Sequence, residues 1–198
     1  MVRVEESFVP YEREETPQES ESAVRDSIGD FLLEITDSAK TAIIVVLLLF
    51  TFVFRAVGVE GTSMNPTLND GDWLAVTAID YGGINHGDIV VITQPWRRHV
   101  PIIKRVIGVE GDRIDIDFVS GVVAVNGVIL EEKYILQKTH LKYDVVFPVT
   151  VPENCVFVMG DNRNNSLDSR SGEVGFVNRN YILGKTLFRF GTDWRIDD

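Results

Sequence analysis

Beyond residue 58 the sequence predicts a mainly β fold, antiparallel and barrel-like, preceded by one N-terminal transmembrane helix. Three observations predict it. Short β-branched runs follow one another with no long amphipathic helix between them. Gly-Asp pairs punctuate those runs at 71–72, 87–88, 111–112 and 160–161. Ahead of them, Thr41 to Phe54 is free of charge.

Residues 1–21 are polar and acidic, with Pro10 and Pro17, and hold too little apolar surface to offset ordering entropy, so disorder is expected there. Val24, Ile28, Phe31, Leu32 and Ile35 then recur at helical spacing, and the acidic segment 1–37 is expected to end in a short amphipathic helix. The run 41–54 alone reaches roughly 21 Å as a helix, short of the roughly 30 Å hydrocarbon core. Lys40 and Arg55 can snorkel, and Ala39 with Ala56 to Val59 lengthens the segment to about 20 residues. Residues 38–58 therefore read as a signal anchor. A buried soluble helix and a cleaved secretory signal are the rivals; the long acidic stretch in front and Arg55 beside the small-residue site oppose the second. Basic residues favour an inside N-terminus slightly.

Residues 59–198 form the β-rich domain. Strands are predicted at 73–76, 88–92, 102–109, 113–119, 144–149, 156–159 and 182–190. Val122 to Val125, Asn126-Gly127 and Val128 to Leu130 read as a hairpin with a two-residue turn.

Composition narrows the function. A net charge of −11 argues against nucleic acid, which needs clustered Lys and Arg. Eleven Asp and Glu fall in residues 1–37, so most of the imbalance sits there. Cys155 is the single cysteine, which excludes an internal disulfide. No Cys/His cluster has metal-ligand spacing and no glycine-rich phosphate loop is present, so neither metal nor other cofactor is expected.

Three blocks carry chemistry. Ser63 lies in Gly61-Thr62-Ser63-Met64-Asn65-Pro66-Thr67-Leu68, which Pro66 stiffens toward an extended shelf. Lys104 lies among Ile102, Ile103, Val106 and Ile107, and in a strand it shares a face with Ile102 and Val106. A buried lysine can lose about 3–5 pKa units and become a base for a serine hydroxyl. Taken singly, a serine in a turn and a snorkelling lysine on an edge strand are both commonplace. The third block, Gly160-Asp161-Asn162-Arg163-Asn164-Asn165-Ser166-Leu167-Asp168-Ser169-Arg170, is either a solvated loop or a buried polar network. In the network reading Asp168 pairs with Arg170 and Ser166 accepts a hydrogen bond from the lysine. His86, His99 and His140 sit in turns or loops with no supporting motif, although composition permits a Ser-His-Asp triad.

Together the blocks at 63–68, 104–108 and 160–170, with Gly87-Asp88-Ile89-Val90-Val91 and Gly184-Lys185, resemble the type I signal peptidases, the bacterial leader peptidases, over roughly residues 40–190. The resemblance implies a membrane-bound serine endopeptidase with a Ser-Lys dyad. Ser63 is then the nucleophile and Lys104 the general base. Ser166 positions the lysine, and Asp168 and Arg170 hold the loop. Met64, Leu68, Ile102 and Ile103 are implied to line shallow pockets for small side chains. Signal-peptide-bearing preproteins and the lipid bilayer are the implied partners, with the secretion translocon nearby. The implied location is the cell membrane, single-pass, with the catalytic domain outside the cytoplasm. Gly61 departs from those members that carry a hydroxyl there to help the oxyanion. A non-catalytic or pilus-dedicated assembly factor, and a self-cleaving Ser-Lys regulator, are the alternative readings. The first would be free to lose Ser63 or Lys104; the second needs no membrane span.

Overall fold

The structure is a computed structural model that describes residues 34–48, 54–77, 83–93 and 101–191. It divides into two units, 1–48 and 49–198. In the first, residues 34–48 are helical (α1), and Lys40 Nζ donates to Asp37 Oδ1 at 2.9 Å one turn back. No helix among the described residues is long and apolar enough to cross a membrane. The expected disordered segment 1–21, most of the amphipathic stretch and residues 49–53 of the apolar run lie outside the described residues.

The second unit is mainly β, as expected. Its strands are β1 (Phe54–Gly58), β2 (Trp73–Thr77), β3 (Ile89–Ile92), β4 (Ile102–Val109), β5 (Arg113–Asp117), β6 (Val122–Val125), β7 (Val128–Ile129), β8 (Val149–Thr150), β9 (Cys155–Met159), β10 (Val177–Asn178) and β11 (Ile182–Phe190). They form an antiparallel seven-stranded sheet in the order β1-β2-β11-β3-β4-β9-β10 and a four-stranded sheet in the order β7-β6-β5-β8. Among the described residues the larger sheet ends at β1 and β10, so it is open and not a closed barrel.

Two expectations are corrected. Phe54 to Gly58 does not continue an apolar helix: it pairs along its whole length with β2, from Phe54 opposite Thr77 to Gly58 opposite Trp73. Its apolar and β-branched composition suits an edge strand as well as a helix end, and the strand partner decides. The predicted strand at 144–149 shrinks to Val149–Thr150. Pro148 lacks an N–H for a ladder, the N–H of Val145 goes to the carbonyl of Arg170 at 3.2 Å, and Asp144 Oδ1 accepts from the N–H of Gly172 at 2.8 Å. That stretch is tied instead to residues 170–172.

The predicted hairpin forms, with Asn126 at φ 53° and Gly127 at φ 80°, the left-handed pair that a type I′ turn needs. Three of the four Gly-Asp pairs build one repeated turn. In 69–72, 85–88 and 109–112 the aspartate N–H donates to the carbonyl three residues back, at 3.1, 3.2 and 3.0 Å. Its carboxylate accepts the N–H of that same residue, at 2.8, 2.9 and 2.7 Å. The glycine before it holds φ of 83–85°, which a side chain would strain.

Buried apolar clusters fix the sheet. Met64, Leu68, Leu74, Val76, Val91 and Ile103 pack together beneath the Ser63 loop. Val90, Val106, Val156 and Val158 belong to a second cluster, and Ile107, Ile114, Phe157 and Met159 to a third that includes residues of both sheets. Removal from water contributes about 1.5–3 kcal/mol for each such side chain.

Candidate active site

β4 is an interior strand, held by β3 on one side and β9 on the other. Lys104, opposite Val90, is therefore not on a sheet edge, and it is only 4% exposed. Its Nζ lies 2.8 Å from Ser63 Oγ and 2.9 Å from the carbonyl oxygen of Ile103. Serine and lysine, 41 positions apart in the sequence, thus meet at hydrogen-bond distance. The histidines are engaged elsewhere: His86 Nε2 is 2.6 Å from Asp112 Oδ2, and His140 Nδ1 is 3.0 Å from the carbonyl of Phe118. His99 lies outside the described residues.

The third block is a buried network and not a solvated loop. Asp168 and Arg170 are fully buried and paired through two hydrogen bonds of 2.8 Å. Asp168 Oδ2 also accepts the N–H of Gly160 at 3.0 Å, and Arg170 Nη1 donates to the carbonyl of Leu141 at 3.0 Å. The block grips the serine loop directly. The N–H of Asn162 donates to the carbonyl of Ser63 at 3.0 Å, and the side-chain amides of Asn162 and Asn165 reach the carbonyl and hydroxyl of Thr62.

Ser166 is buried in this network, but its hydroxyl oxygen has no hydrogen-bond partner. The expected bond to Lys104 is not made. Instead the hydroxyl sits against Gly160, where a Cβ would also meet the carbonyl oxygen of Ser63 at 2.5 Å. The main chain of Ser166 is held, its carbonyl accepting from the Tyr143 hydroxyl at 3.0 Å and from Arg170 Nη2 at 3.3 Å. Burial pushes the Tyr143 phenol up, which keeps it a donor.

A second ion pair joins the three blocks. Arg105 Nε and Nη2 bind Asp161 at 2.8 and 2.6 Å, and the Thr67 hydroxyl donates to the same carboxylate. One residue from each block is joined there. The Arg-Asp pairing across 56 positions left no local pattern, although the charged pair beside apolar strands was a signal. Arg105 also stacks on Tyr134, whose phenol is pushed up to about 12 by burial and by Glu132.

A cleft of about 370 Å³ opens beside Ser63 and Lys104. Met64, Ile102 and Ile103 line it, together with Val57, Val59 and Leu167. Leu68 does not; it is buried in the core below. Gly61 is on the rim, with φ 85° and its N–H donated to Asp70 Oδ1 at 2.7 Å.

The sequence profile of the family described as signal peptidase, peptidase S26, matches residues 32–194. The chain belongs to that family. Membership makes it a serine endopeptidase. Signal peptidase I of Bacillus licheniformis is 36% identical over 168 residues, covering 80% of this chain and 88% of that protein. Probable signal peptidase I-2 of Synechocystis sp. is 38% identical over 165 residues, covering 80% of this chain and 72% of that one. A solved signal peptidase I from Enterococcus faecalis V583 is 29% identical, with a TM-score of 0.43, over 52% of this chain and 96% of its own.

Proposed function

We propose that the chain removes N-terminal signal peptides from exported preproteins at a membrane, with Ser63 as nucleophile and Lys104 as general base. The observation that carries this reading is the 2.8 Å approach of the Lys104 amine to the Ser63 hydroxyl in a site where the lysine is almost wholly buried. Burial disfavours the charged form of an amine, and a neutral amine can accept the hydroxyl proton.

In this mechanism Lys104 takes the proton of Ser63 as Oγ bonds to the substrate carbonyl carbon. The tetrahedral intermediate collapses, the C–N bond breaks, and the lysinium returns the proton to the leaving amine. Water, deprotonated by Lys104, then cleaves the ester and frees Ser63. The Ser63 N–H supports the oxyanion. Gly61 has no side chain to offer, and its own N–H is held by Asp70. Met64, Ile102 and Ile103 narrow the cleft, which favours small residues before the scissile bond.

Residues 38–53, about 24 Å long as a helix, serve as the membrane anchor in this reading, with local thinning of the bilayer and snorkelling of Lys40 making up the difference; the chain crosses once, with the β unit outside the cytoplasm. The acidic segment 1–37 is then cytoplasmic and residues 54–198 catalytic. Trp73, Phe188 and Phe190 support a lipid-facing surface: Phe190 pairs with Trp73 across β11 and β2, and the three are 44%, 65% and 54% exposed.

The test is cleavage of a preprotein in trans by detergent-solubilised full-length protein. Wild type is expected to cut after a small-x-small site. Ser63→Ala should fold normally and show no turnover; substantial turnover by it would end the nucleophile assignment.

A further inference from the structure

A fourth segment touches all three motif blocks, and no motif contains it. Residues 131–136 run on from the β6–β7 hairpin. The Tyr134 ring carries the Arg105 guanidinium at 4.1 Å from its centroid, with Arg163 at 5.9 Å. The carbonyl oxygen of Tyr134 lies 3.5 Å from the Thr67 hydroxyl oxygen. The Tyr134 hydroxyl donates to Glu132 Oε1 at 3.3 Å, and that oxygen is paired with buried Arg163. The N–H of Leu136 donates to the carbonyl of Asp161 at 3.2 Å. The segment therefore meets Thr67, four residues past Ser63; Arg105, next to Lys104; and both Asp161 and Arg163 of the third block.

We propose that residues 131–136 form a positioning strap whose central residue, Tyr134, fixes Arg105 and through it the spacing of Ser63 and Lys104. The proposal rests on the reading of those two residues as the catalytic pair. Arg105 is held on its edge by Asp161 and on its face by the Tyr134 ring. A guanidinium satisfies both demands at once, forking to a carboxylate while stacking on an aromatic plane. Without the ring, one face of Arg105 is open and its bidentate grip on Asp161 loosens. Asp161 is the carboxylate that holds Thr67, and Thr67 belongs to the loop that presents Ser63. A displacement of about 1 Å between reacting groups can cost about 10²-fold in rate. Among the described residues, the polar and ring contacts of Tyr134 and Leu136 go to Thr67, Arg105, Glu132, Asp161 and Arg163, none of which lines the cleft, so loss of the strap acts on turnover and leaves substrate binding nearly intact.

The experiment is a double-mutant cycle in full-length, detergent-solubilised protein, with kcat and KM read on a preprotein well below the unfolding temperature of each variant. Tyr134→Phe keeps the ring and is expected within about twofold of wild type in kcat. Tyr134→Leu is expected to lower kcat about tenfold, with KM within about twofold. Arg105→Lys removes the other partner of the contact, and stands alone as the probe should Tyr134→Leu not fold. Its kcat is expected to fall similarly, and the double variant to be little worse than either single one. Unchanged kcat in Tyr134→Leu, equal loss in Tyr134→Phe, additive losses in the cycle, or wild-type kcat in Arg105→Lys would each overturn the strap. Ser63→Ala is assayed alongside: turnover by that variant defeats the catalytic pair itself, whereas an inert Ser63→Ala beside a fully active Tyr134→Leu defeats only the strap.

Discussion

At Lys104 the decisive property is where the amine sits. The flanking isoleucines and valine made burial legible in the sequence, but the choice between a core lysine and an edge lysine was not. Strand order settles it, because β4 has neighbours on both sides. Ser166 illustrates the opposite limit. Its place near the site was readable from the third block, but its side-chain direction depends on packing against Gly160, from a residue six positions away. That packing gives a prediction. In Gly160→Ala the new methyl meets the Ser166 hydroxyl and, at 2.5 Å, the Ser63 carbonyl oxygen. The loop that carries Ser63 must shift, and kcat should fall by about 10² or more while KM changes little. Asp168 and Arg170 predict a stability effect. Arg170→Met leaves a fully buried carboxylate without its cation, which should lower unfolding free energy by about 3–5 kcal/mol in urea titrations.

Among elements, the Gly-Asp turns were legible as turns, and their shared geometry follows from residue chemistry. Asp112 is the most fully bonded of the three. Burial alone would push its carboxyl up, but the N–H of Val109, the Asn126 amide and His86 outweigh this and hold it below the usual carboxylate range. A depressed folded value means that its stabilisation is complete above the unfolded pKa of about 3.9 and fades as pH falls through the folded one. Asp112→Asn should therefore have a lower Tm than wild type at pH 7, and the gap should narrow below about pH 4. A gap that widens on acidification would contradict that sign. The segments misread from sequence, 54–58 and 144–149, share one cause: apolar or β-branched residues state a preference for burial, and the hydrogen-bond partner, β2 in one case and the Arg170 loop in the other, comes from far along the chain.

For the whole molecule, the antiparallel β class and the three blocks of the site were readable because each is carried by local sequence. The Arg105–Asp161–Thr67 junction was not, since it exists only once the blocks converge. Exposed aromatics at the β2–β11 end of the large sheet have a consequence at this scale. If they rest in lipid, replacing Phe188 and Phe190 by serine in the full chain should lower kcat/KM several-fold for a preprotein embedded in vesicles. A short soluble substrate, which uses only the cleft, should be cut at an unchanged rate. Burial of one such side chain is worth about 1.5–3 kcal/mol, enough to make the difference measurable.

The most direct test of the central claim, that position 104 must give and take a proton, is kcat/KM of Lys104→Arg on a preprotein, with circular dichroism to verify the fold. Arginine keeps the positive charge but does not ionise in this range. A folded variant with kcat/KM reduced by at least about 10³ agrees with general-base catalysis by a neutral amine. A folded variant that retains most of the wild-type rate would mean that charge alone suffices at this position, and the proposed chemistry would be wrong.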